Sequence, residues 1–78
     1  MIPSCPECGL PGVPLLFGLP VPEARQAAED GDLALGGCVT PGQAPNWQCA
    51  SGHRWRDADQ GAWDSRLSAV LAAHGYRD

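Results

Sequence analysis

The sequence predicts a small α+β domain: a few short antiparallel strands, one short inserted helix and a C-terminal amphipathic helix. Three observations carry this expectation. The chain has 78 residues, enough for one domain with a modest core. Over positions 1–56 its apolar residues fall in short runs cut by proline and glycine, as short strands and turns require. From position 57 onward the apolar spacing becomes that of a helix. Residues 1–56 are therefore expected to form the strand-bearing body, and residues 57–78 a helix packed on it, within a single domain.

Residues 3–12 are rich in proline, glycine and cysteine and read as turns. Residues 13–19 read as a strand, with Pro14 restricting it to a sheet edge or a strand start because proline has no N–H to donate. A short helix opens at Pro22, which suits a first helical position. Glu23 favours the positive helix end, and Gly31 can stop the helix. Val21, Ala24, Ala27 and Ala28 give it a shallow apolar stripe. Residues 33–35 are a second short strand, closed by Gly36-Gly37, and residues 40–46 are a loop. Residues 47–49 and 53–56 read as two strand arms around a tight turn at Ala50-Ser51-Gly52. In the last segment Asp57 and Gln60 have the spacing of a capping box. Trp63, Leu67, Val70, Leu71 and His74 then share one helical face, and Gly75 ends it. His74 reads as a surface or helix-end histidine.

Composition limits the chemistry. Apolar residues make up 44% of the chain, but eleven are alanine and four are cysteine, which leaves nineteen large apolar side chains. So small a core favours a covalent or metal staple. There is no lysine; five arginines face nine acids, for a formal charge of −4. This excludes Schiff-base and P-loop lysine chemistry and disfavours non-specific binding to nucleic acid or anionic membrane. The longest apolar stretch, residues 13–21, is interrupted by Pro14, Gly18 and Pro20 and is too short to span a bilayer. No basic, apolar leader is visible at the N-terminus. A cytoplasmic location is the default expectation, and there close-spaced cysteines more often bind metal than form disulfides.

Cys5-Pro6-Glu7-Cys8-Gly9 is the sharpest motif. Two cysteines separated by two residues can face one ion across a tight turn, and the glycine after them lets backbone N–H groups face the sulfurs. Structural zinc favours thiolates and takes four ligands, so this pair fills half a shell. A redox dithiol would want a strand before the first cysteine, and position 5 leaves no room for one. The other half of the shell is sought in Trp47-Gln48-Cys49-Ala50-Ser51-Gly52-His53-Arg54-Trp55, where a turn through Gly52 can bring Cys49 and His53 to the same ion. One structural Zn²⁺ held by Cys5, Cys8, Cys49 and His53 is the expected site. Cys38 is the alternative fourth ligand, and water or Ser51 are further ones. The competing reading of His53 is a turn residue packed between Trp47 and Trp55. Trp47, Trp55 and Trp63 are expected in the core, although Trp55 between Arg54 and Arg56 also has the makings of a base-stacking site.

These residues carry a resemblance. The chain is similar to zinc-ribbon proteins, and more closely to a group of small bacterial ones. Those open with Cys-Pro-x-Cys-Gly, carry a Gly-Leu-Pro segment and a Gly-Gly-Cys, and end in Trp-x-Cys-x-x-Cys-Gly-His-x-Trp. Here the matching segments are Cys5 to Gly9, Phe17-Gly18-Leu19-Pro20, Gly36-Gly37-Cys38, and Pro45 through Trp55. The resemblance covers residues 5–55 and implies a zinc-binding ribbon with no established biochemical role. It departs at the second knuckle, where Cys49-Ala50-Ser51-Gly52-His53 is one residue shorter than the family pattern and lacks its second cysteine.

Neither a catalytic triad, a phosphate loop nor a zinc-protease helix is present, so no enzyme activity is expected. The expected role is a monomeric, non-catalytic protein–protein interaction module. Arg54, Trp55 and Arg56 are its candidate partner-binding residues, and a nucleic-acid-associated zinc ribbon is the alternative.

Overall fold

The computed structural model describes residues 2–37, 42 and 44–76. Among these the elements are β1 (Val13–Phe17), α1 (Pro22–Glu29), β2 (Ala34–Gly37), β3 (Trp47–Gln48), β4 (Arg54–Trp55) and α2 (Gln60–Ala73). The fold is small α+β, with four strands in the order β2-β1-β3-β4. The pairs β1–β3 and β3–β4 are antiparallel, whereas β1 and β2 pair in parallel. The sequence had suggested antiparallel strands only. The difference follows from the connection: α1 carries the chain back to the end where β1 began, so β2 runs in the same direction. A tight hairpin would have reversed it.

Pro14 lies in an inner strand, not at an edge. It is the second residue of β1, and pairing with β2 begins one residue later at Leu15↔Ala34. On the β3 side, Leu15 N–H donates to Asn46 O at 2.9 Å. The missing proline N–H therefore breaks no bond on either side.

The helices meet through small residues. Ala24 and Ala27 of α1 are fully buried with Leu33 and with Val70 of α2, and Leu16, Ala28, Leu67 and Leu71 pack around them. Alanine at the contact lets the helix lie close, and the apolar burial, at about 25 cal/mol per Å², holds a helix too short to persist alone. The predicted stops at Gly31 and Gly75 occur where expected. Asp32 N–H reaches back to Ala27 O and Tyr76 N–H to Leu71 O, both at 2.9 Å, the six-to-one bond of a glycine-terminated helix. The two helix ends then meet. His74 presents Nδ1 to Asp30 at 3.6 Å and Nε2 to Asp32 at 3.3 Å. Each ring nitrogen thus faces its own carboxylate.

The start of α2 differs from expectation. Asp59, not Asp57, caps the helix, accepting from Ala62 N–H at 3.1 Å. Asp57 is used one turn earlier, where its side chain accepts from Asp59 N–H at 2.9 Å. Its backbone is held by Asn46, whose Nδ2 donates to Asp57 O at 3.0 Å and whose Oδ1 accepts from Asp57 N–H at 2.8 Å. Gln60, assigned to the capping box, instead approaches Asn46 Nδ2 at 3.5 Å. Asn46 is the buried polar residue among those described, and it fastens the entry of α2 to the sheet. Replacing it with alanine leaves the Asp57 N–H and C=O without these partners. A loss of about 2 kcal/mol is expected, read as a lower urea midpoint with an unchanged slope.

Candidate metal centre

The site is built from two hairpin turns. In the first, Ser4 and Pro11 bridge, Cys5 N–H donates to Leu10 O at 2.7 Å and Gly12 N–H to Pro3 O at 2.9 Å. The turn closes through Gly9 N–H to Cys5 O at 2.9 Å. Pro6 fixes its own φ at the start of the turn, and Gly9 supplies a φ of 75°, which strains any residue with a Cβ. Glu7 N–H thereby points at Cys5 Sγ, 3.4 Å away. In the second turn, Trp47 pairs with Trp55 and Gln48 with Arg54. Cys49 N–H donates to His53 O, and Gly52 N–H to Cys49 O, both at 3.0 Å.

The two hairpins rest on each other at Gly12. A Cβ there would lie 2.9 Å from the ring of Trp55 and 3.1 Å from that of Trp47. Only a bare backbone fits so close to the two indoles. Nothing in the sequence singles out Gly12, since its reason is a contact with residues far along the chain.

Four candidate ligands converge. Cys5, Cys8, Cys49 and His53 offer donor atoms that all lie within 4.8 Å of one another. Cys8 Sγ is 3.6 Å from Cys49 Sγ, and His53 Nδ1 is 3.6 Å from Cys5 Sγ and 3.5 Å from Cys49 Sγ. Cys5 and Cys49 are buried, His53 is half-buried and Cys8 is exposed. The group can hold a metal ion. His53 thus turns its ring to the sulfurs. Its outer nitrogen, Nε2, lies 3.7 Å from Glu7 Oε2. A carboxylate in that position favours the tautomer that leaves Nδ1 free to ligate. Cys38 lies outside the described residues.

Backbone dipoles prepare the sulfurs. Burial pushes the Cys49 thiol up, but hydrogen bonds from the His53 and Ser51 backbones and from the Cys8 and Cys5 side chains outweigh it. The result is a value near the histidine range, about 6. Cys5 is also lowered: burial opposes ionisation, and the Glu7 and Cys8 N–H groups overcome it. Cys8 is raised, because burial and the neighbouring thiols together exceed the help of the Leu10 backbone. His53 is raised by its hydrogen bonds to Cys49 and Cys5, with Glu7 adding to them. These surroundings favour the ionised form of Cys5 and Cys49 and the protonated form of His53, and disfavour ionisation of Cys8.

The three candidate partner residues lie beside this site. Arg54 is exposed, but its Nε donates to Gln48 Oε1 at 2.7 Å. Trp55 is half-buried against Gly12, and Arg56 is exposed. Among the described residues no helix is long and apolar enough to cross a membrane. Compared with protein-family models, with curated proteins and with solved structures, the chain matches none.

Proposed function

We propose that the chain is a zinc-ribbon-like domain holding one structural Zn²⁺ on Cys5, Cys8, Cys49 and His53, without catalytic activity, and that it serves as a docking module for another protein. The observation that carries the metal reading is the length of three of the six edges between the donors, the others lying within 4.8 Å. Tetrahedral zinc with ordinary bond lengths places sulfurs about 3.8 Å apart and sulfur about 3.5 Å from nitrogen. The S···S edge of 3.6 Å and the S···N edges of 3.6 and 3.5 Å fit that figure. Three thiolates and an imidazole are the soft and borderline donors zinc selects. Four protein ligands leave no open position for water or substrate, which favours a structural role over a catalytic one.

A protein partner is favoured over nucleic acid by charge and by the fate of the Arg-Trp-Arg run. The chain carries −4 without any lysine. Arg54 Nε is engaged by Gln48 and part of the Trp55 ring lies against Gly12, which leaves less of both for stacking on a base as single-strand binders require.

Protein purified from zinc-supplemented cells is expected to contain about one zinc per chain by elemental analysis. A content well under about half an equivalent would end the metal reading. No salt-dependent binding to single-stranded DNA or RNA is expected in fluorescence anisotropy. Micromolar affinity that collapses with added salt would favour the nucleic-acid alternative.

The protonation states give a further expectation. Zinc needs neutral His53 and ionised cysteines, so its uptake releases protons and its affinity falls as pH falls. The metal-free chain has its own pH dependence. Cys49 is depressed from 9.0 to about 6, so its contribution is full above 9.0 and is lost as pH falls through about 6. His53 is raised above 6.5; its contribution is full below 6.5 and fades as pH rises through the raised value. The Cys49 contribution to the metal-free melting temperature is therefore expected to fall as pH is lowered from 9.0 to about 6, with His53 offsetting part of the loss. A profile flat across that window, measured in the presence of chelator, would contradict this pairing.

A further inference from the structure

We propose that Cys8 is an oxidation site, and that its oxidation by a hydroperoxide joins it to Cys49 and expels the metal. The inference deepens the metal reading above and rests on it for the expulsion step. It starts from an asymmetry among the sulfurs. Cys5 and Cys49 are 4% and 2% exposed, whereas Cys8 lies on the surface. A small oxidant in solvent reaches Cys8 first, and ligation to the metal would hold Cys8 as the thiolate, the nucleophilic form. All three sulfurs lie within 4.8 Å of one another, and the contacts they make point to Cys49 as the partner. Cys8 Sγ lies 3.6 Å from Cys49 Sγ, while Cys5 Sγ is turned to His53 Nδ1 at 3.6 Å. A disulfide of about 2.05 Å needs the Cys8 and Cys49 sulfurs to close by about 1.5 Å.

The chemistry balances in two steps. The Cys8 thiolate attacks one peroxide oxygen; an S–O bond forms, the O–O bond breaks, and hydroxide leaves. The Cys49 thiolate then attacks the Cys8 sulfur; the S–S bond forms, the S–O bond breaks, and a second hydroxide leaves. The two thiolates together lose two electrons, and hydrogen peroxide is reduced to water once the solvent supplies the protons. Zinc keeps its charge throughout and departs because Cys5 and His53 alone remain, half of a structural shell. The new bond also ties the first hairpin to the second, in the place where the metal had tied them. The oxidised chain therefore keeps a cross-link between its two halves while losing the ion, and a thiol reductant with zinc returns it to the start.

The test treats the zinc-loaded chain with hydrogen peroxide, alongside metal-free chain and the Cys38→Ser variant, which removes the remaining thiol from exchange. Zinc release is followed with a colorimetric chelator, and cross-links are mapped by peptide mass spectrometry after alkylation. The expected result is one zinc released per disulfide, a Cys8–Cys49 link in all three samples, and recovery on reduction with added zinc. Brief alkylation of the zinc-loaded chain should label Cys8 before Cys5 or Cys49. A Cys5–Cys8 link, first labelling at a buried cysteine, or zinc loss without a disulfide would each overturn the proposal. A chain that takes up no zinc at all instead removes the metal reading, and the cross-link map of the metal-free sample still decides the pairing.

Discussion

Stripping the proposed zinc with a strong chelator is expected to lower the stability of this domain more than any single core substitution does. The two hairpins that carry the ligands are separated by the forty residues between Cys8 and Cys49. They touch where Gly12 lies against two indoles. Structural zinc contributes about 10–16 kcal/mol of apparent binding free energy at neutral pH in small zinc domains. A domain of this size has a net stability of the same order or less. Without the ion, the four side chains are linked only by sulfur–sulfur and sulfur–imidazole contacts of 3.5 to 3.6 Å, a poor replacement for four metal bonds. The measurement is a thermal scan by circular dichroism with and without chelator, followed by return of zinc. A large drop in the midpoint, reversed by zinc, is expected. Cys49→Ser should show the same low midpoint without chelator. His53→Ala should weaken zinc more than Cys38→Ser, and the reverse order would move the fourth ligand to Cys38. Equal midpoints with and without chelator would mean that the helices and sheet hold the hairpins by themselves.

Much of the candidate site was legible in the sequence because its chemistry is local. Cys5-Pro6-Glu7-Cys8-Gly9 contains its own turn, and Cys49 to His53 contains another through Gly52. Both glycines have the positive φ such turns need. The helix ends were legible for the same reason, since Gly31 and Gly75 act within one turn. What escaped was whatever depended on distant partners. The parallel β1–β2 pair depends on where α1 lays the chain down, and no residue in either strand states its direction. Asp57 and Gln60 have capping-box spacing, but Asn46 takes the Asp57 backbone and leaves the cap to Asp59. Asn46 itself looked like loop composition, because its role exists only against residue 57. Gly12 and Glu7 were invisible for the same reason: one is read by two tryptophans, the other by a histidine forty-six positions away.

Trp47→Ala is the other substitution expected to do large damage, and its comparison with Trp47→Phe separates two contributions. Trp47 is 0% exposed, among the largest side chains the fold buries completely. It sits at the start of β3, two residues before Cys49, and its ring lies under Gly12. Truncation leaves a cavity where both hairpins meet, with an expected cost of about 3–5 kcal/mol and a weaker metal site because Cys49 loses its footing. The indole also carries a liability. Trp47 Nε1 is buried and has no hydrogen-bond partner among the described residues, whereas Trp63 Nε1 donates to Leu15 O at 3.3 Å. A buried donor without an acceptor costs about 1–3 kcal/mol. Phenylalanine keeps much of the ring and removes that N–H, so it recovers part of what it gives up in volume. Trp47→Phe is therefore expected to lie well above Trp47→Ala in urea midpoint and to bind zinc close to the parent chain. If the two variants were equally unstable, the indole N–H would have to be making a bond that stabilises the fold. The edge of the ring, and not its bulk, would then be what β3 contributes to the site.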